Sequence, residues 1–169
     1  MAATIELYLV RHAIAAERGP KYPDDRLRPL TPDGTKKFKD SVPGLVELGV
    51  VIDFVLTSPL VRARETAQLL AAGLKPKPAI TEIEALSPGG RHQAIVEAIK
   101  THSKRNRRLA LVGHEPDLGE LAARLIGARG MIEFKKGGIG LIEVAGATPG
   151  GPGTLRWMLT PKALRALAS

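Results

Sequence analysis

Residues 53–73 have the sequence DFVLTSPLVRARETAQLLAAG, which predicts a strand, a tight turn and a helix in immediate succession. The run DFVLT at 53–57 is β-prone, while Ser58 and Pro59 predict an N-cap and a first-turn proline for the following helix. Helical periodicity then continues to a stop at Gly73. A unit of this kind is typical of domains in which strands alternate with helices.

The same plan is predicted at three other places in the chain. Residues 5–10 (IELYLV) form a short β-prone run, and a second run at 79–83 (AITEI) precedes a helix over about 91–101. RLALVG at 108–113 is followed by a helix beginning near Asp117. Strands alternating with helices of this length predict a three-layer α/β sandwich with a mainly parallel sheet and helices on both faces.

The last third of the chain departs from this alternation. GIGLIEVAG (138–146) and TLRWMLT (154–160) predict an antiparallel hairpin at the sheet edge, joined by a mobile loop ATPGGPG (147–153). PKALRALA (161–168) predicts a closing helix.

One further helix is predicted after the first strand. Thr31 is a favourable N-cap and Pro32 suits the first turn. Pro43 and Gly44 then predict either a kink or two short helices before Gly49.

Composition limits the class of protein. The 169 residues, 44% of them hydrophobic, predict a single domain over 1–169 with an apolar core of its own. The chain has no cysteine, which excludes disulfides, thiolate zinc sites and cysteine nucleophiles. The first ten residues carry no export signal, and no apolar span reaches about 18 residues. We therefore expect a cytoplasmic protein with no membrane partner.

The chain is strongly basic, with a net charge of +8 and a pI near 10.0. A local run from Lys100 to Arg108 (KTHSKRNRR) holds five of the basic residues, and it is interpreted as a solvated helix end. The alternative is a docking surface for an acidic protein or a polyanion. Nucleic acid is disfavoured, because the run has no interleaved aromatic residues and aromatics make up only 4% of the chain.

Three segments at the ends of predicted strands contain candidate catalytic residues: LVRHAIA (9–15), TSPLVRARETA (57–67) and LVGHEPDL (111–118). In open α/β sheets, ligands bind beyond the carboxyl ends of the strands, so these segments are expected to converge. They supply two histidines and two arginines, namely His12, His114, Arg11 and Arg62.

An anion site suits these residues better than the alternatives. A lone strand-end histidine is more often structural, Arg62 alone could be a surface helix residue, and Arg11 beside His12 disfavours a metal ion. Two guanidinium groups can instead grip a phosphoryl group, and their charge keeps His12 neutral and able to attack phosphorus. His114 is then a donor to a phosphoryl oxygen.

LVRHA, SPLVRARETA and VGHEPDL resemble the signature segments of the histidine phosphatase superfamily, and specifically its small phosphohistidine phosphatase (SixA-like) branch. The resemblance extends over essentially the whole chain through four further segments: RPLTPDG, LSPGG, FKKGGI and WMLTPKAL. The resemblance implies a phosphohistidine intermediate at His12, a phosphate pocket of Arg11, Arg62 and His114, and no metal or other cofactor.

The sequence departs from the superfamily pattern in two respects. Ala13 follows His12, where the superfamily usually has glycine. A carboxylate that could act as general acid is not evident, so none is assigned. Glu82 and Glu84 lie in roughly the right segment, but their spacing is not diagnostic and exposed strand-end carboxylates are the simpler interpretation. Glu115 and Asp117 are interpreted as a loop residue and an N-cap.

The lack of an evident acid favours one substrate class. Phosphohistidine can leave already protonated near neutral pH, whereas an ester leaves as a basic alkoxide that needs a proton donor. Few residues remain for a cap over the site, which favours a phosphorylated protein such as a histidine phosphotransfer domain. Hydrolysis of small phosphoesters, phosphoanhydrides or polyphosphate is the alternative, and a non-catalytic anion or nucleic-acid binding module is the third.

Overall fold

The computed structural model describes residues 3–145 and 152–169. Six strands and five helices follow one another along the chain: β1 (Thr4–Arg11), α1 (Pro32–Glu47), β2 (Phe54–Thr57), α2 (Val61–Ala72), β3 (Ala79–Glu82), α3 (His92–His102), β4 (Arg108–Gly113), α4 (Asp117–Ile126), β5 (Ile139–Ala145), β6 (Thr154–Leu159) and α5 (Pro161–Ala168). Most of the loop that was predicted to be mobile, residues 147–151, lies outside the described residues.

The six strands form one sheet in the order β3-β2-β4-β1-β5-β6. The first four strands in this order are parallel, whereas β5 runs antiparallel to β1 and to β6. The predicted mainly parallel sheet with an antiparallel hairpin at its edge is therefore confirmed.

Successive residues of β1 face opposite sides of the sheet, as the pleat of a strand requires. Tyr8 and Val10 pack in a core with apolar residues of α1, α2 and α5. Leu7 and Leu9 pack in a second core with residues of α3 and α4. The predicted three-layer sandwich is thus confirmed, with three helices on one face and two on the other.

Helix α1 continues through Pro43, so of the two predicted alternatives, a kink or two short helices, the second is wrong. Thr31 caps this helix as predicted, accepting a hydrogen bond from the Gly34 N–H at 2.9 Å. Pro43 lies on the exposed face, where water can satisfy the carbonyl that a proline leaves without its helical partner. Gly44 is buried, and a Cβ there would collide with the Leu164 carbonyl of α5.

Two predicted N-caps are also wrong. Helix α2 begins at Val61 after Leu60, and Ser58 lies two residues before that cap. Asp117 is the first residue of α4, and its carboxylate accepts a hydrogen bond from the Gly89 N–H at 2.7 Å. Each of these polar side chains forms a hydrogen bond with a residue that is distant in the sequence. Contacts of this kind are not evident in a local sequence pattern.

The basic run from Lys100 to Arg108 spans the last turn of α3, the connection that follows it and the first residue of β4. Arg108 is held by Asp53, with 2.8 Å between Nη2 and Oδ1. In the ranges 3–145 and 152–169, no helix has both the length and the hydropathy needed to cross a bilayer.

The sheet order determines where a site can form. The chain passes from β1 to β2 across the place that β4 later fills, so the carboxyl ends of β1, β4 and β2 lie side by side. Such a change in strand order opens a crevice beyond the strand ends. The three segments singled out in the sequence all lie at this crevice.

Candidate active site

His12 follows the last residue of β1 and lies almost entirely below the surface. Its backbone N–H donates to the Gly113 carbonyl at 3.1 Å, which continues the pairing of β1 with β4. Its Nδ1 lies 2.7 Å from the Ala13 carbonyl oxygen. Because a carbonyl can only accept, the ring proton is on Nδ1 and Nε2 keeps a free lone pair.

The surroundings of His12 hold the ring neutral. Burial, together with the charges of Arg62, Arg11 and Arg28, lowers the pKa of His12 to about 4, although the hydrogen bond to the Ala13 carbonyl opposes the shift. An imidazole with this pKa is unprotonated throughout the neutral range. His12 thus carries the lone pair that a nucleophile requires.

His114 follows β4, and its ring centroid lies 5.1 Å from that of His12. Its Nε2 is 2.8 Å from Ser58 Oγ. The Leu60 N–H donates to the same oxygen at 3.2 Å, and Ser58 Oγ has no other partner among the described residues. Because Nε2 is the one acceptor within reach of the hydroxyl proton among the described residues, we assign the hydroxyl as the donor, which leaves the ring proton of His114 on Nδ1.

His114 is also neutral. Burial, together with the nearby His12 and Arg62, lowers its pKa to about 3. A neutral ring with its proton on Nδ1 is a hydrogen-bond donor without a net charge. Ser58, which the sequence suggested as a helix cap, thus orients this donor.

Arg62 is the second residue of α2 and is only 2% exposed. Its terminal nitrogens donate to Asp25, one to the backbone carbonyl at 2.8 Å and the other to the carboxylate at 3.0 Å. Arg11 ends β1, and its Nη1 donates to the Phe134 carbonyl at 2.6 Å. Both guanidinium groups are therefore fixed in place through their terminal nitrogens.

Three buried side-chain nitrogens have no hydrogen-bond partner among the described residues: Arg11 Nε, Arg62 Nε and His114 Nδ1. All three carry a proton, and all three belong to residues that line one cavity of about 240 Å³, together with His12. Buried donors without partners are rare and costly in native proteins. Three of them around one cavity call for a ligand with several acceptor oxygens and a negative charge.

The cavity wall includes further cations that sequence reasoning missed. Arg18, Arg28 and Lys136 line it, and Arg28 donates to the Ala16 carbonyl at 2.7 Å and to the Asp25 carboxylate at 3.0 Å. Arg28 lies in RPLTPDG, a segment that carried the family resemblance without a role for its arginine. Burial would raise the pKa of Asp25, but Arg28 and Arg62 hold it below its usual value.

Glu82 and Glu84 lie outside the cavity. Glu82 pairs with Arg64 at 3.3 Å, and Glu84 pairs with Arg26 at 3.1 Å on the surface. Glu115, predicted to be a loop residue, lies in the turn between β4 and α4, where it also lines the cavity. Burial raises its pKa, against the hydrogen bond that its Oε1 accepts from the Gly119 N–H at 2.8 Å.

A metal site is not evident in this part of the molecule. Across residues 3–145 and 152–169, no three His, Asp or Glu side chains cluster as ligands for a metal ion. The donors around the cavity are arginines and a neutral imidazole N–H, which bind oxyanions rather than cations.

The family model of the histidine phosphatase superfamily, branch 1, matches residues 7–125. The chain belongs to this superfamily. An uncharacterized protein of Picosynechococcus sp. is 41% identical over 139 residues, which cover 80% of this chain and 82% of that protein. The matched range contains Arg11, His12, Arg62 and His114, and membership supports phosphatase activity.

Solved structures extend the likeness in fold beyond the matched range. The protein histidine phosphatase SixA complexed with tungstate has a TM-score of 0.83 and 24% identity, covering 95% of this chain and 99% of that chain. A phosphoserine phosphatase mutant of Entamoeba histolytica has a TM-score of 0.66 and 14% identity, covering 95% and 99% of the two chains. At these identities the likeness concerns the fold, which is shared by phosphatases with different substrates.

Proposed function

We propose that this phosphatase hydrolyses phosphohistidine on a protein, with His12 as the nucleophile. The observation that carries the proposal is the set of three unpartnered buried donors around one cavity, beside a neutral histidine with a free Nε2. A phosphoryl group has the oxygens and the charge that those donors lack. SixA, a protein of the same fold, forms a complex with tungstate, which is a tetrahedral oxyanion. That complex supports this choice of ligand class.

The geometry suits transfer in two steps. His12 Nε2 attacks phosphorus and forms a new N–P bond, while the bond between phosphorus and the substrate imidazole breaks. Water then attacks the phosphorylated His12, giving inorganic phosphate and the free ring. In both steps charge on the phosphoryl oxygens meets Arg11 Nε–H, Arg62 Nε–H and His114 Nδ1–H, which are already fixed in position.

The leaving group favours a phosphoramidate over an ester. An imidazole titrates near pH 6.5, so phosphohistidine can leave with its other nitrogen protonated and needs little help from an acid. The cavity of about 240 Å³ holds a phosphoryl group and part of one side chain. A protein that presents a single phosphorylated histidine fits this size.

The direct test uses a histidine phosphotransfer domain phosphorylated with phosphoramidate. The wild-type protein should release phosphate, and quenching without acid should trap phosphate on the peptide that contains His12. His12→Ala should abolish both, whereas His92→Ala, on α3 outside the cavity, should leave both unchanged. Equal phosphate release by the wild type and His12→Ala would show that the nucleophile is wrongly assigned.

One observation favours the second candidate, hydrolysis of small phosphoesters. Glu115 lines the cavity, and its raised pKa favours the protonated carboxyl that could donate to an alkoxide. Under our proposal, Glu115→Gln should leave kcat/KM for phosphohistidine within about threefold of wild type. If kcat/KM for small esters equals or exceeds that for phosphohistidine, and Glu115→Gln abolishes the ester activity, the second candidate replaces the first.

A further inference from the structure

A second cavity of about 330 Å³ lies on the α1–α5 side of the sheet. Its floor is mainly apolar and includes Ala13, Ile14, Phe38 and Pro161. The rim carries five cations: Lys37, Lys135, Lys136, Lys162 and Arg165. We refer to these floor and rim residues together as the basic groove. Its lining contains no acidic residue.

Most of the rim charge is not neutralised by the protein itself. Lys37 pairs with Asp33 at 3.0 Å. Lys135, Lys136 and Lys162 form no ion pair with any of the described residues, and the lysines at 135 and 162 are exposed. Unpaired cations around an apolar floor suit a ligand that has both carboxylates and apolar side chains.

The basic groove adjoins the active-site cavity. Lys136 lines both, and Ala13 on the groove floor is the residue after His12. The Gly137 N–H, from the same loop as Lys136, lies 3.1 Å from the Arg11 carbonyl and 3.0 Å from that of His12. A ligand in the groove therefore lies beside the nucleophile.

We propose that the basic groove docks an acidic, partly apolar segment of the phosphorylated protein substrate, an inference that rests on the proposed function. The phosphorylated side chain enters the active-site cavity, and the groove binds the surface next to it. Free phosphohistidine lacks such a segment. The groove therefore affects recognition of a protein and leaves the chemistry at His12 unchanged.

The test reverses charge on the groove rim without altering the active-site cavity. The double variant Lys135→Glu/Lys162→Glu replaces two exposed lysines that are absent from that cavity. The matched control is Lys104→Glu/Arg105→Glu, which makes the same change in net charge in the turn after α3. Each is assayed on a phosphorylated phosphotransfer domain with acidic residues around its histidine, and on free phosphohistidine.

The groove variant should raise KM for the phosphorylated domain about tenfold, because like charges then face each other across the interface. Its kcat, and its kinetics on free phosphohistidine, should stay within twofold of wild type, and the control should resemble wild type on both substrates. Added salt should weaken the wild-type reaction with the domain more than that of the groove variant.

Other outcomes would refute the proposal that the basic groove is a docking surface. An unchanged KM for the domain shows that the groove does not bind the substrate. An equal loss in the control shows either long-range attraction by net charge or docking at the run from Lys100 to Arg108, and both exclude a specific role of the groove. A changed rate on free phosphohistidine shows that the groove binds a small anion. If the wild type hydrolyses small substrates but not the phosphorylated domain, the proposed function itself fails and the docking surface with it.

Discussion

Removal of one hydroxyl group, in Ser58→Ala, tests whether the orientation of His114 matters. The Ser58 hydroxyl donates to Nε2 at 2.8 Å and so keeps the ring proton on Nδ1, a buried atom without a partner among the described residues, in a side chain that lines the cavity. Without it, the proton can move to Nε2, and Nδ1 then presents a lone pair to the phosphoryl oxygens. The variant loses a donor at the point where a charged oxygen needs one.

The size of the effect follows from the hydrogen bond at stake. A hydrogen bond to a charged group contributes about 1.5–3 kcal/mol, and each 1.4 kcal/mol is a factor of ten. We therefore expect kcat/KM for phosphohistidine to fall about 10- to 150-fold in Ser58→Ala. The chemical shifts of the two His114 ring nitrogens, measured by NMR, should show the change of tautomer.

Ser41→Ala is the matched control for this experiment. Ser41 is fully buried, and its hydroxyl donates to the Phe38 carbonyl at 2.6 Å within α1, away from the cavity. Both variants should lower the melting temperature, but Ser41→Ala should keep wild-type activity. Activity of Ser58→Ala within twofold of wild type, at a similar loss of stability, would refute the role assigned to this hydroxyl.

Three further predictions concern the nucleophile, the cavity wall and the core. Since the pKa of His12 is lowered to about 4, kcat/KM should not fall as the pH is lowered from 7 until about pH 4, where His12 binds a proton; an acid limb near pH 6.5 would contradict this. Arg28→Ala should lower kcat/KM at least tenfold, while Arg26→Ala, which breaks only a surface pair with Glu84, should have no effect. In thermal unfolding, Pro43→Ala should stabilise α1 by about 1–3 kcal/mol, whereas Gly44→Ala should destabilise it, because a Cβ meets the Leu164 carbonyl.

Local patterns were sufficient to predict most elements and two of the strand ends that build the site. The predicted strand at 108–113 coincides with β4, and the helix predicted near Asp117 begins there. Both depend on short-range features, namely an apolar run and the polar residues that end it. Because the carboxyl ends of parallel strands meet at one edge, the approach of His12 and His114 also followed from the order of elements.

Contacts over long sequence separations were not predictable from the same patterns. Asp25 lies 37 positions before Arg62, and its hydrogen bonds to that side chain depend on how the β1–α1 connection crosses the site. Ser58 is 56 positions from His114, so its sequence neighbours suggested only a helix cap. Glu115 gave no local indication that its carboxyl lines the cavity rather than facing solvent.

The cavity is costly to the folded protein before any ligand arrives. Each unpartnered buried donor costs about 1–3 kcal/mol, and two histidines are held neutral next to arginines. The same features favour a phosphoryl group, whose oxygens satisfy Arg11 Nε, Arg62 Nε and His114 Nδ1 together. Asp25 fixes Arg62 from the side opposite the unpartnered Nε, so the donor is in position without being used. Little reorganisation is then needed when charge develops on phosphorus, which is how a preorganised site lowers a barrier.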